Sequence, residues 1–114
     1  MATEGIEGVY VETRNWGKTA GFLRALGFDV EFSTDHGSGL LRHGEGPYVF
    51  VEEVPEGHEL QVQVLLRVAD ADACRLGPPV EVVKDFEDTH YGTKEMLVRD
   101  PDGRIWSLQA RAKG

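Results

Sequence analysis

Four imidazoles and one thiol are the side chains best suited to acid–base, nucleophilic or metal chemistry: His36, His43, His58, His90 and Cys74. Imidazole titrates near neutral pH and ligates metals, whereas a thiol attacks only as its thiolate. Their spacing builds no motif. His36, His43 and His58 fall in or beside turn-forming clusters and His90 precedes a strand, so each is expected in a loop, and His90 has no nucleophile or carboxylate partner visible in sequence. Cys74 lies among Ala71, Ala73 and Leu76 on a short helical stretch, the setting of a buried, inert thiol. A single cysteine excludes an intrachain disulfide and agrees with a reducing compartment.

Charge narrows the partners. The net charge of −8 repels phosphate backbones and anionic lipid, which argues against nucleic acid and membrane surfaces and is compatible with a cationic or neutral small molecule. No apolar run approaches the roughly 18 residues of a spanning helix, and the opening MATEGIEG has neither the basic start nor the hydrophobic stretch of a signal peptide. The expected address is the cytoplasm.

The elements that must position these groups can be read from periodicity. Residues 8–12 (GVYVE) form a short apolar run that predicts a buried strand. Asn15 can cap a helix whose apolar stripe is Trp16, Thr19, Ala20, Leu23 and Leu26, with Phe22 at its edge, and Gly27 ends it. Gly17 and Gly21 lie on its polar side and cost about 1 kcal/mol each relative to alanine. Strands are expected at 29–33, 39–43 and 48–53, separated by turn clusters at 34–37 and 44–47. The second half repeats the order: a strand at 60–68, a short helix at 70–76, then strands at 80–84, 94–99 and 105–109.

The repetition extends to residues. LGFDVEF (from Leu26) stands against LGPPVEV (from Leu76), and aligning Gly46 with Gly103 pairs Tyr48 with Ile105, Phe50 with Ser107 and Glu52 with Gln109. The expected fold class is therefore α+β, with two βαβββ modules at 1–56 and 57–114. Each module is too small to bury a sheet face alone, so modules must pack within one chain or across a homodimer.

The segment YGTKEMLVRDPDGRIWSLQ, from Tyr91 to Gln109, resembles the terminal signature of the vicinal oxygen chelate superfamily, which includes glyoxalase I, bleomycin resistance proteins and extradiol dioxygenases. Residues 16–30 with their LGF ending, and VADADACRLG from Val68, support the resemblance, as does the duplicated βαβββ order. Within the DPDG stretch, Pro101 fixes φ at the second position of a turn and Gly103 adds flexibility, so Asp100, Pro101, Asp102 and Gly103 are expected to be structural.

The resemblance implies a cleft in which a divalent metal would be held by one side chain from the first and last strand of each half. Counting along the similar segments puts these positions at Glu7, Phe50, Gln63 and Ser107. Phe50 offers no donor and a neutral Ser107 hydroxyl is a weak ligand, so the set is degenerate and no metal or other cofactor is expected. With Glu7 facing the cleft, alternation sends Val9 there too and Tyr10 under the helix. Tyr48, Phe50 and Glu52, then Gln61 and Gln63, then Ser107 and Gln109, complete the lining, with His90 and Tyr91 at the mouth. Aromatic and aliphatic area with a few polar groups is the usual composition of a ligand site.

These residues predict a metal-independent binding protein, similar to the bleomycin-resistance branch, whose homodimer sequesters an organic ligand, with cationic, antibiotic-like molecules compatible with its charge. The alternative from the same resemblance is a lyase, isomerase or dioxygenase that uses a divalent metal.

Overall fold

The apolar run near the start forms strand β1, Ile6–Thr13, extended at both ends beyond the expected 8–12. It is followed by helix α1, Trp16–Ala25, with the Asn15 side chain accepting from the Lys18 backbone N–H. The helix ends in the paired bonds of a Schellman motif: Gly27 N–H reaches the Arg24 carbonyl and Phe28 N–H the Leu23 carbonyl, with Gly27 at φ 104°, a conformation that glycine adopts without steric cost. Strands β2 (Asp29–Ser33), β3 (Ser38–Arg42) and β4 (Tyr48–Glu53) follow. The second half contributes β5 (Val62–Val68), β6 (Glu81–Asp88), β7 (Thr93–Arg99) and β8 (Ile105–Arg111). The computed structural model describes residues 3–89 and 92–111, and no helix among them is long and apolar enough to cross a membrane.

The strands assemble in two units, Gly8–Gln63 and Met1–Glu7 with Val64–Gly114. Glu4 and Gly5, just ahead of β1, are bonded through their backbones to Arg67 on β5. In the Gly8–Gln63 unit the strand order is β2-β3-β4-β1, with β1 and β4 parallel and the other pairs antiparallel. The other unit has the order β5-β8-β7-β6, again with one parallel pair, β5 with β8. The registers repeat as the internal alignment requires. Leu40 faces Phe50 where Leu97 faces Ser107, and Ser38 faces Glu52 where Glu95 faces Gln109.

In the Gly8–Gln63 unit, Leu41 and Val51 are fully buried and Ala20 and Thr13 nearly so; the Thr13 and Thr19 hydroxyls meet at 2.7 Å, which fixes this side of the sheet under α1. The helix stripe is narrower than expected. Phe22 and Leu26 are each 63% exposed, because Leu26 is already the C-cap, where the chain turns away.

The other unit corrects the second helix. The expected 70–76 helix is a single 3-10 turn, Ala71–Ala73, after which Cys74 is extended. The Arg75 guanidinium takes up the Asp72 and Cys74 carbonyls, and Pro78 and Pro79 have no N–H to continue a helix. Cys74 is buried with Val68, Met96, Val98, Leu108 and Ala110, and Trp106 packs against them. The short turn leaves a cavity of about 620 Å³ whose lining includes Leu76, Val82, Phe86 and Met96, with Asp85 and Lys94 also reaching it.

The DPDG turn is anchored by Asp100. Its carboxylate accepts from the backbone N–H groups of Asp102 and Arg104, from the Arg104 guanidinium and from the Trp106 indole. The indole bond is the main cause that holds the carboxyl at about 2, below its ordinary 3.8, with the Arg104 and Asp102 bonds adding to it and desolvation opposing. A depressed carboxyl contributes stability that is complete above its unfolded value and is lost as pH falls through its folded one. Thermal melts are therefore expected to show an acid-side loss from about pH 4 down to 2 that is smaller in Asp100→Asn.

Candidate functional site

Alternation sets the second face of the Gly8–Gln63 sheet. Because Thr13 lies against the helix, Val11 and Val9 share its side and Tyr10 and Glu12 take the other. This reverses the expected parity of β1: Val9 faces the helix side and is not a lining residue, while Tyr10 is. Register then puts Tyr10 beside Phe50, Glu12 beside Glu52 and Gly8 beside Tyr48.

These neighbours form a built arrangement. The Tyr10 and Phe50 rings stack with centroids 6.3 Å apart and planes at 15°. Phe32 leans on Phe50 at 6.4 Å and 55°, and it is 49% exposed. The Tyr10 hydroxyl reaches Glu52 Oε2 at 2.6 Å and Glu12 Oε2 at 3.0 Å. Burial, then the hydrogen bonds to Glu52 and Glu12, and then their negative charge push the phenol well above its ordinary value. Tyr10 therefore stays a donor at neutral pH. One phenolic proton is shared by two carboxylates.

Glu12 is further satisfied by the Gln61 backbone N–H at 3.1 Å and by His58 Nε2 at 3.2 Å. Glu52 takes only the phenol among the described residues. At the other end of the face Arg42 lies over the Tyr48 ring, 5.5 Å from its centroid, and is paired with Glu31 at 2.7 Å.

The remaining expected residues divide between the units. Gln61 is exposed and Gln63 half-buried at the end of the first unit. In the other unit Glu7 pairs with Arg67 at 3.2 Å. Ser107 and Gln109 are buried on the face opposite Cys74 and Met96, and both donate to Glu95. His90 and Tyr91 lie outside the described residues. His36 and His43 are exposed, the latter against the Gly27 carbonyl at 3.0 Å. Tyr10, Glu12, Phe32, His58 and Glu95 were not anticipated. Thr13 next to the helix cap carried the signal for the first two; for the rest, partners distant in sequence left none.

The side chains do not fit the divalent metal that the resemblance implies. Phe50 has no donor and is sandwiched between rings, Glu7 is held by a guanidinium, and the Ser107 proton is committed to Glu95. Among the described residues no three of His, Cys, Asp and Glu converge as a metal site would require.

The fold itself is that of the glyoxalase/bleomycin resistance/dioxygenase superfamily. A superfamily member from Vibrio splendidus 12B01 superimposes with a TM-score of 0.66 at 19% identity, covering 90% of this chain and 96% of that one. The Mn(II)-bound glyoxalase from Novosphingobium aromaticivorans gives 0.69 at 15% identity, over 99% of this chain and 41% of that one. BphC, a halotolerant catechol dioxygenase, gives 0.66 at 11% identity, over 97% of this chain and 40% of that one. The chain thus spans about two fifths of the latter two proteins. No family model and no curated protein matches it.

Proposed function

We propose that this protein binds and sequesters a cationic aromatic small molecule without a metal, as a cytoplasmic homodimer. The observation that carries the proposal is the stacked Tyr10–Phe50 pair, extended by Phe32 and edged by Glu12 and Glu52. Such a face offers a planar ligand apolar area and a ring to stack on, and its two carboxylates favour a positive charge. Its phenol and both carboxylates are tied to one another, which favours binding over turnover.

The test is a fluorescence titration with proflavine, a planar cation, against neutral acridine near neutral pH. Saturable proflavine binding, about tenfold weaker in Glu52→Gln and unaffected by chelator treatment, is the expected result; tenfold corresponds to about 1.4 kcal/mol. Equal affinity for both dyes would remove the carboxylates from recognition. Tight stoichiometric uptake of nickel, zinc or manganese by the stripped protein would overturn metal independence. Sedimentation equilibrium is expected to return a dimer mass.

A further inference from the structure

The two units differ in what covers one face of each sheet. By the repeated registers Met96 is the counterpart of Gly39, and Leu108 of Val51. In the Gly8–Gln63 unit α1 covers this point, with the Trp16 ring against Gly39. In the other unit the helix is reduced to the 3-10 turn Ala71–Ala73, and Met96 borders the cavity of about 620 Å³. That volume lies within the roughly 300–1,000 Å³ of small-molecule sites.

The cavity has an apolar floor and charges of both signs. Leu76 and Phe86 pack against the buried cluster that includes Met96, and Val82 is 44% exposed. A β-bulge adds Asp85. Lys84 faces Leu97 and Glu87 faces Glu95, so Asp85 and Phe86 together stand opposite Met96 alone. Such a bulge breaks the alternation of side chains, and both residues reach the cavity. Arg75 reaches it from the extended segment after the 3-10 turn.

These two opposite charges do not pair with each other. The Asp85 carboxylate accepts from the Phe86 backbone N–H at 2.7 Å, and the Arg75 guanidinium donates to the Asp72 and Cys74 carbonyls at 2.6 and 3.1 Å. Among the described residues neither enters an ion pair, whereas Lys94, on the same cavity, meets Asp88 at 3.5 Å. Backbone groups thus orient both charges and neutralise neither. A guanidinium takes a carboxylate through paired N–H donors, and a carboxylate takes an ammonium through charge-assisted hydrogen bonds. A molecule that carries both charges on an apolar body matches this lining, and the free aliphatic α-amino acids are the simplest of that description.

We infer that this cavity binds a free aliphatic α-amino acid, with its ammonium at Asp85, its carboxylate at Arg75 and its side chain against Val82, Phe86 and Met96. The site lies wholly in the unit of β5 to β8 and does not rest on the Tyr10–Phe50 proposal.

Leucine, which has no ring for the Tyr10–Phe50 pair to stack on, is titrated into the full-length, isotope-labelled protein and followed by NMR. Isopentylammonium, which lacks the carboxylate, and isocaproate, which lacks the ammonium, are the comparisons. Saturable shifts of the Met96 and Val82 methyls are expected with leucine, and binding at least tenfold weaker with either comparison. Asp85→Asn is expected to weaken leucine at least tenfold and to leave isocaproate unchanged; Arg75→Gln is expected to weaken leucine and to leave isopentylammonium unchanged. The inference is overturned by an absence of saturable shifts at Met96, by shifts confined to residues around Tyr10, by either comparison binding as tightly as leucine, or by undiminished affinity in Asp85→Asn. Should Arg75→Gln not fold, leucine against isopentylammonium in the wild-type protein decides, since equal binding of the two removes the carboxylate from recognition.

Discussion

Gly39→Ala is expected to lower unfolding free energy by about 2–3 kcal/mol, toward the top of the range for overpacked cores. A Cβ at Gly39 would stand 2.5 Å from the Trp16 ring carbon Cη2 and 2.7 Å from the Phe32 carbonyl oxygen. A side chain can rotate out of such a contact; a carbonyl held in the β2–β3 ladder cannot. Gly39 lies opposite fully buried Val51, and Trp16 opens the helix with its backbone N–H bonded to Glu53 at 2.8 Å. Relief therefore requires the whole start of α1 to lift from the sheet. Urea denaturation should show the midpoint falling with an unchanged slope. Gly21→Ala gives the opposite sign. Nothing lies within 4 Å of a Cβ there, and removing a helix-interior glycine stabilises by about 0.5–1 kcal/mol. If Gly39→Ala proved neutral, Trp16 would not be seated against that strand.

How much of this was legible in the sequence follows from the range of each interaction. The Asn15 cap, the Gly27 stop and the DPDG turn are local, and each is found where its residues predicted it. The correspondence of β4 with β8 was legible through Gly46 and Gly103, and the β3–β4 and β7–β8 registers repeat in keeping with it. The second helix failed because local cap and composition signals were outweighed by Pro78, Pro79 and the carbonyl-binding Arg75. The face of β1 failed for a different reason: strand parity was anchored at Glu7, whereas Thr13, against the helix, sets it. With that reversal Tyr10 moves from the expected core to the site. Its bond to Glu52 joins residues 42 apart in sequence through a parallel pairing, for which no turn residue gives the register. Glu95 was missed because its donors lie across a hairpin on β8.

Phe50→Ala is the substitution expected to weaken proflavine binding most, by about 30-fold or about 2 kcal/mol. Two effects add. Removing the ring withdraws apolar area from the ligand, and it ends a stacked pair that contributes about 0.5–1.5 kcal/mol beyond burial. Tyr10 would also lose the ring that, with the Glu52 bond, fixes its own plane, so the surviving half of the platform becomes less well oriented. Folding should persist. Phe50 is half-buried, and the fully buried Leu41 and Val51 belong to the opposite face of the same sheet. A cooperative melt with a modestly lower midpoint is therefore expected beside the lost affinity. Phe50→Leu separates the contributions, because it keeps most of the apolar area and discards the stack, and its affinity should fall between the other two. Unchanged affinity in Phe50→Ala would remove this residue from the site. A Phe50→Leu protein that bound no better than Phe50→Ala would assign recognition to ring stacking and not to apolar area.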